Sequence, residues 1–247
     1  MSFMKRFATP IQILMTLALY VEISLIVGIA AVPGIYGAIC AYGRIIALNP
    51  PELIRVFAMV SLGVAAYFCY TLCVIFVVPV MRIFAPGSPE GHFSFYSMKA
   101  VQWAGYNALI LIVRYTCINF LRVTPMIVLF HRLMGMKIGS RVQINTVIIG
   151  ESNLISIGDD TVIGGDVTLV AHSAEEGELI VERVSIGSRV TVGLMSVIMP
   201  GCVIGDDAIL AANAVLPKGA IIGPGEIWGG IPAKKIGVRK AKAEIEI

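Results

Sequence analysis

Three histidines are the side chains of this chain best suited to move a proton near neutral pH, since an unperturbed imidazole titrates near pH ~6.5. They are His92, His131 and His172. His92 stands in a polar connecting stretch, and His131 sits beside Arg132 just ahead of the regular part of the chain. His172 ends the run VTLVAH and is followed by Glu175, Glu176, Glu178, Glu182 and Arg183, which read as a polar loop. A histidine at the edge of a regular scaffold, beside a loop, is placed where function often lies. The structural alternative is a histidine hydrogen-bonded at a corner. Asp166, six residues upstream, orients the imidazole only if the fold brings the two together, and otherwise reads as a solvated corner. A catalytic zinc held by three histidines is excluded, because only His172 lies inside the regular region, and no metal is expected. The five cysteines (Cys40, Cys69, Cys73, Cys117, Cys202) include no CxxC pair and read as free thiols in a reducing compartment.

The element that must position His172 is a repeat. Apolar residues recur every six positions at Ile186, Val192, Ile198, Ile204, Leu210, Leu216, Ile222 and Trp228. Small or β-branched residues follow four positions later at Val190, Ser196, Cys202, Ala208, Ala214 and Ala220, and glycines stand at Gly187, Gly193, Gly205, Gly223 and Gly229. Upstream, Ile157, Ile163 and Leu169 keep the spacing, Ile138 and Ile144 begin it, and an irregularity near Ser152 shifts the phase. A six-residue unit makes one short strand and one turn, and three units close a triangular coil of about 18 residues. Stacked coils bury a continuous apolar core. The pattern predicts a left-handed parallel β-helix over about 138–236, with glycine serving the turn dihedrals. Its one large break follows His172.

The N-terminal half has another solvent in view. Charged residues make up only 14% of the 247 residues and apolar ones 57%, which is apolar for a soluble domain. Ile11–Val32 carries a single charge, Glu22, and Val56–Val78 carries none; each is long enough to cross a hydrocarbon core of about 30 Å. Pro33-Gly34 and Asn49-Pro50-Pro51 read as the breaks around their connection. Glu22 is either a functional carboxylate within the membrane or a polar helix contact. Lys5 and Arg6 before the first span, and Arg82, Lys99, Arg114, Arg122, Arg132 and Lys137 after the second, put both ends in the cytoplasm. Tyr96–Val123 is apolar but interrupted by Lys99, Gln102, Asn107, Arg114, Asn119 and Arg122, roughly along one helical side. It reads as an interfacial or re-entrant helix, with further spans as the alternative. A membrane α-helical region over 1–130 and an all-β region over 131–247 are the domains expected, multi-pass in the inner membrane. A formal net charge of +3 with no basic face interleaved with aromatics argues against nucleic acid.

The run VSIGSRVTVGLMSVIMPGCVIGDDAILAANAVLPKGAIIGPGEIWGGIPAKKIG resembles the C-terminal region of hexapeptide-repeat acyltransferases, and VTLVAH before a polar loop is similar to the place where that family holds its catalytic histidine. The resemblance covers about 138–238. It implies a homotrimer with active sites between neighbouring prisms, His172 as general base, and acyl-CoA or a phosphopantetheine-linked acyl carrier protein as donor. It further implies a donor site at Gly193, Ala212 and Lys218, with Lys234 near the nucleotide phosphates. The family often has Gly-His-Pro where this chain has Ala171-His172-Ser173. Leu194 and Met195 stand where relatives are often small or polar. The stretch LFHRLMGMKIGSRV, preceded by two apolar spans and GHFSFYSMKAVQW, is similar to the membrane-embedded terminal region of polylysine-synthetase-type peptide synthetases. The sequence therefore points to a membrane-anchored acyltransferase, with a peptide-bond-forming domain or a non-catalytic trimeric scaffold as the competing expectations.

Overall fold

The computed structural model describes residues 8–84 and 86–239. Lys5 and Arg6, on which the expected orientation partly rests, lie outside the described residues. One compact unit is formed by the chain up to Phe84 together with Ala108–Cys117, and the other by Ala85–Asn107 and the chain from Ile118 onward. Residues 86–107 and 118–130 fall in the same unit as the repeats.

The first unit is dominated by helices α1 (Ala8–Ala47, 40 residues) and α2 (Glu52–Arg82, 31 residues). Both are long and apolar enough to cross a membrane, at lengths of about 60 and 46 Å. They expose Leu14, Tyr20, Leu25, Ile39, Phe57 and Phe68. The break expected at Pro33-Gly34 is absent, because α1 runs through Pro33. Gly34 is instead the point of close packing: a Cβ there would collide with the backbone of Ala66 on α2. The chain turns only at Leu48–Pro51, where Asn49 has φ +49° and Arg55 donates to Pro50 O at 2.8 Å and to Asn49 Oδ1 at 3.0 Å.

The second unit begins with an extended strap containing strand Gly91–Ser94, followed by α3 (Met98–Thr116), whose residues from Ala108 belong to the first unit. Helix α4 (Pro125–Leu133) is capped by Thr124, whose hydroxyl accepts from Met126 N–H, with proline at the first turn. From Lys137 the chain winds as short parallel strands. The residues in register are Ile138, Ile157, Ile186, Ile204 and Ile222 on one face, Ile144, Ile163, Val192, Leu210 and Trp228 on the second, and Leu169, Ile198 and Leu216 on the third. The members from Ile157 to Ile222 are buried, and Thr161, Ser196, Cys202, Ala208 and Ala214 fill the narrow corners with no exposed surface. Buried hydroxyls there are satisfied by carbonyls: Thr161 donates to Gly187 O and Ser196 to Gly193 O, each at 2.8 Å.

The glycines work differently from the expectation. Gly187, Gly193 and Gly205 do not have positive φ; a Cβ on any of them would run into the backbone of the next coil. The left-handed corner positions are taken by Arg141, Asp160, Asp166, Arg189, Met195, Asp207 and Asn213, at φ +53° to +60°, and by Gly201, Gly219 and Gly225. The repeat also ends sooner than its pattern suggests. After Gly229 the chain reverses, and Lys234–Val238 lies antiparallel on Glu226–Gly229.

Candidate active site

The break in the repeat is a structured hairpin rather than a loop. His172–Glu175 and Glu178–Val181 pair antiparallel across Glu176-Gly177, both residues at positive φ. The strap strand Gly91–Ser94 pairs with Glu178–Val181 to make a third strand. The bond from Glu182 N–H to Ala171 O at 2.9 Å closes the base of the hairpin. Phe93, Leu179 and Val181 are buried, which accounts for the apolar residues in an otherwise acidic stretch. His172 is the first residue of this hairpin.

Its partner is Glu151, not Asp166. Asp166 occupies a left-handed corner and forms an ion pair with Arg122 at 2.5 Å. Glu151 has no exposed surface, and its Oε1 lies 2.7 Å from His172 Nδ1. The imidazole is turned off the ideal N–H···O line, so this is a close polar contact without a well-aligned hydrogen bond. Oε1 accepts from Trp103 Nε1 at 2.8 Å and from Asn107 Nδ2 at 2.9 Å, and Oε2 accepts from the Ala171 N–H at 2.9 Å. Burial pushes the Glu151 carboxyl up, but His172, the Ala171 N–H and Trp103 together outweigh it and hold the group below the usual carboxylate range. The Trp103 ring meets the imidazole edge to face, centroids 4.9 Å apart. Nδ1 is buried while the His172 side chain is 30% exposed, which leaves the Nε2 side of the ring open.

The other histidines have different surroundings. His131 is sealed, with Nδ1 2.9 Å from Ser152 Oγ, and burial pushes it down to about 3. His92 is exposed and pairs with Glu182 at 3.1 Å across the hairpin sheet.

The remaining expected site residues fall into two groups. Lys218 lies at the corner of His172, where Gly219 N–H bonds to Pro200 O, and its ammonium is paired with Glu175 of the hairpin. Gly193 and Ala212 stack on consecutive coils at a different corner, and Gly229, which pairs with Lys234, packs over Ala211 there. Lys234 is exposed. One prism therefore gathers His172, Glu151 and Lys218 at one edge and Gly193, Ala212 and Lys234 at another. Glu151, Trp103 and Asn107 were not foreseen. The available signal was the phase slip near Ser152, which places an acid at the corner below His172, and the helical spacing of Trp103 and Asn107.

Residues 183–218 match the family model described as bacterial transferase hexapeptide (six repeats). The second resemblance is also met. Over 109 residues, 44% of this chain, the protein is 31% identical to delta-poly-L-ornithine synthetase of Acinetobacter baumannii (strain AB307-0294). The chain spans only 8% of that relative's length. Among solved structures, it is similar to a hexapeptide-repeat acetyltransferase of Vibrio cholerae O1 biovar eltor complexed with acetyl coenzyme A. The identity is 26%, with 43% of this chain and 62% of that one covered at a TM-score of 0.40. A maltose O-acetyltransferase of Clostridium difficile 630 is 17% identical, covering 61% and 94% of the two chains at a TM-score of 0.45.

Proposed function

We propose that this protein is a membrane-anchored acyltransferase that moves an acyl group from a thioester to a hydroxyl or amine. The observation that carries this reading is the pair formed by half-open His172 and fully buried Glu151 at the single large break of a transferase hexapeptide repeat. Nε2 of His172 takes the proton as the acceptor oxygen or nitrogen bonds to the thioester carbonyl carbon. The carbon–sulfur bond then breaks and the thiolate leaves, taking up a proton. The donor is acyl-CoA or the phosphopantetheine arm of an acyl carrier protein, and Gly193, Ala212, Lys218 and Lys234 are its proposed contacts. Because these lie at two edges of one prism, the reading includes a homotrimer in which neighbouring left-handed coils share each site. Helices α1 and α2 form the anchor in the inner membrane, with the β-helix on the cytoplasmic side. Support for the anchor comes from their length and exposed apolar side chains. An anchored enzyme suits a lipid-linked acceptor.

A second reading has its own observation. The identity to part of a poly-L-ornithine synthetase supports amide-bond formation from an aminoacyl thioester, with an amine as acceptor. Free-thiol release from acyl-CoA, acyl carrier protein and aminoacyl carrier thioesters separates the two. Wild type is expected to turn over one donor class, and His172→Ala to lose ~100-fold or more. If no thioester is consumed and coenzyme A does not raise the melting temperature, both enzymatic readings fail in favour of a scaffold.

A further inference from the structure

The repeat supplies His172 and Glu151, but two of the groups fixing Glu151 come from outside it, on α3. Trp103 and Asn107 are four residues apart, so they project from the same side of the helix. Asn107 Nδ2 donates to the Trp103 carbonyl at 3.0 Å as well as to Glu151 Oε1. The indole contacts both members of the pair, donating to Glu151 and standing edge-on against His172. The helix is held at this point from two directions. Gln102 Nε2 donates to Gly87 O at 2.6 Å. Tyr106 donates through its hydroxyl to Met134 O at 2.7 Å and accepts from Asn153 N–H at 3.1 Å, two residues past Glu151.

We infer that Trp103 and Asn107 are positioning residues of the acid–base pair: they fix the Glu151 carboxylate, and through it orient His172. A fully buried carboxylate short of donors takes up a proton or swings away, because nothing else replaces the water it has lost. In either state it no longer stands as an anion 2.7 Å from Nδ1, and the ring loses its preference for holding its proton there and leaving Nε2 free as the base. The indole adds a wall that keeps the imidazole from rotating out. Helix α3 thus completes a site that the hexapeptide repeat alone does not contain.

This inference rests on His172 being the base, so the experiment includes a readout that does not need turnover. The full chain, with 15N-histidine, is studied in nanodiscs at about pH 8.5, above the ordinary imidazole value of about 6.5. The His172 signals are assigned by their loss in His172→Ala. In wild type, His172 is expected to show one tautomer, Nδ1–H with Nε2 unprotonated. In Trp103→Phe, which keeps a ring and deletes the donor, and in Asn107→Leu, a mixture of tautomers is expected. The His131 signals report on folding and stay unchanged. With a thioester that wild type consumes, both variants lose kcat by about 10- to 100-fold with donor KM within about twofold. A single unchanged His172 tautomer in both folded variants overturns the inference. If wild type consumes no thioester, the acyltransferase reading falls, while the tautomer result still decides whether Trp103 and Asn107 orient the ring.

Discussion

At the scale of single residues, two buried titratable groups of the second unit set its response to acid, and they do so by different routes. Glu151 has no contact with solvent and keeps its charge through three donors and an imidazole. Glu151→Ala leaves those donors without an acceptor, and a loss of about 2–4 kcal/mol is expected. Thermal unfolding in detergent measures it, and a melting temperature equal to wild type would contradict the role given to the carboxylate. Since the folded Glu151 is held below the usual range, its stabilisation is present above the ordinary carboxylate value of about 4.3. It is lost as pH falls through the folded value. His131 is a base pushed down to about 3, against ~6.5 in the unfolded chain. Between these values the unfolded state binds the extra proton, so stability declines on acidification by up to ~1.4 kcal/mol per pH unit. In His131→Gln the slope of unfolding free energy against pH is expected to flatten across that window. An unchanged slope would show that His131 is not the group responsible.

At the scale of elements, the prism is held by stacking of its coils rather than by the charges on its corners. The Cβ of Gly193→Val would push into the backbone of Ala212, one coil away, and a loss of about 1–3 kcal/mol is expected from overpacking. The Arg189–Asp207 pair is exposed on the corner, at 2.7 Å, and Arg189→Ala is expected to cost no more than ~1 kcal/mol. Chemical denaturation of the two variants ranks them, and the reverse order would mean that the corner charges dominate. The same geometry explains what was readable in the sequence. Period six was visible because every inward position from Ile157 to Ile222 must be apolar to meet its neighbour. Asp166 was a natural candidate partner for His172 at a distance of six. A residue one strand upstream, however, sits at another corner, whereas a residue one full coil upstream sits at the same one. Glu151 meets that condition, but the slip near Ser152 hides it from a count of sixes. Gln102 and Asn107 looked like the polar stripe of an interfacial helix, yet their side chains are committed to Gly87 and Glu151. The ammonium of Lys218 looked free for a donor; its partner Glu175 became visible only when the expected loop folded as a hairpin.

At the scale of the whole molecule, the separation of His172 from Gly193 and Ala212 on different edges of one prism carries a specific consequence for assembly. If each site uses the His172 edge of one copy and the Ala212 edge of the next, two different inactive chains can repair each other. His172→Ala removes the base and leaves the donor edge intact. Ala212→Trp blocks the exposed donor edge and leaves His172 intact. Each homotrimer is then inactive at every site. In trimers assembled at random from equal amounts of both, an Ala212→Trp chain meets a His172→Ala chain in the required order at about a quarter of the interfaces. Thiol release from co-expressed, co-purified chains is therefore expected to recover to about a quarter of wild type. Separately purified homotrimers mixed after assembly should recover nothing until subunits exchange. If the site were built within one prism, every copy in the mixture would carry one defect and no activity would return. Recovery on co-expression alone would tie the two edges to a shared site, and its absence with both proteins folded and associated would confine the site to a single copy.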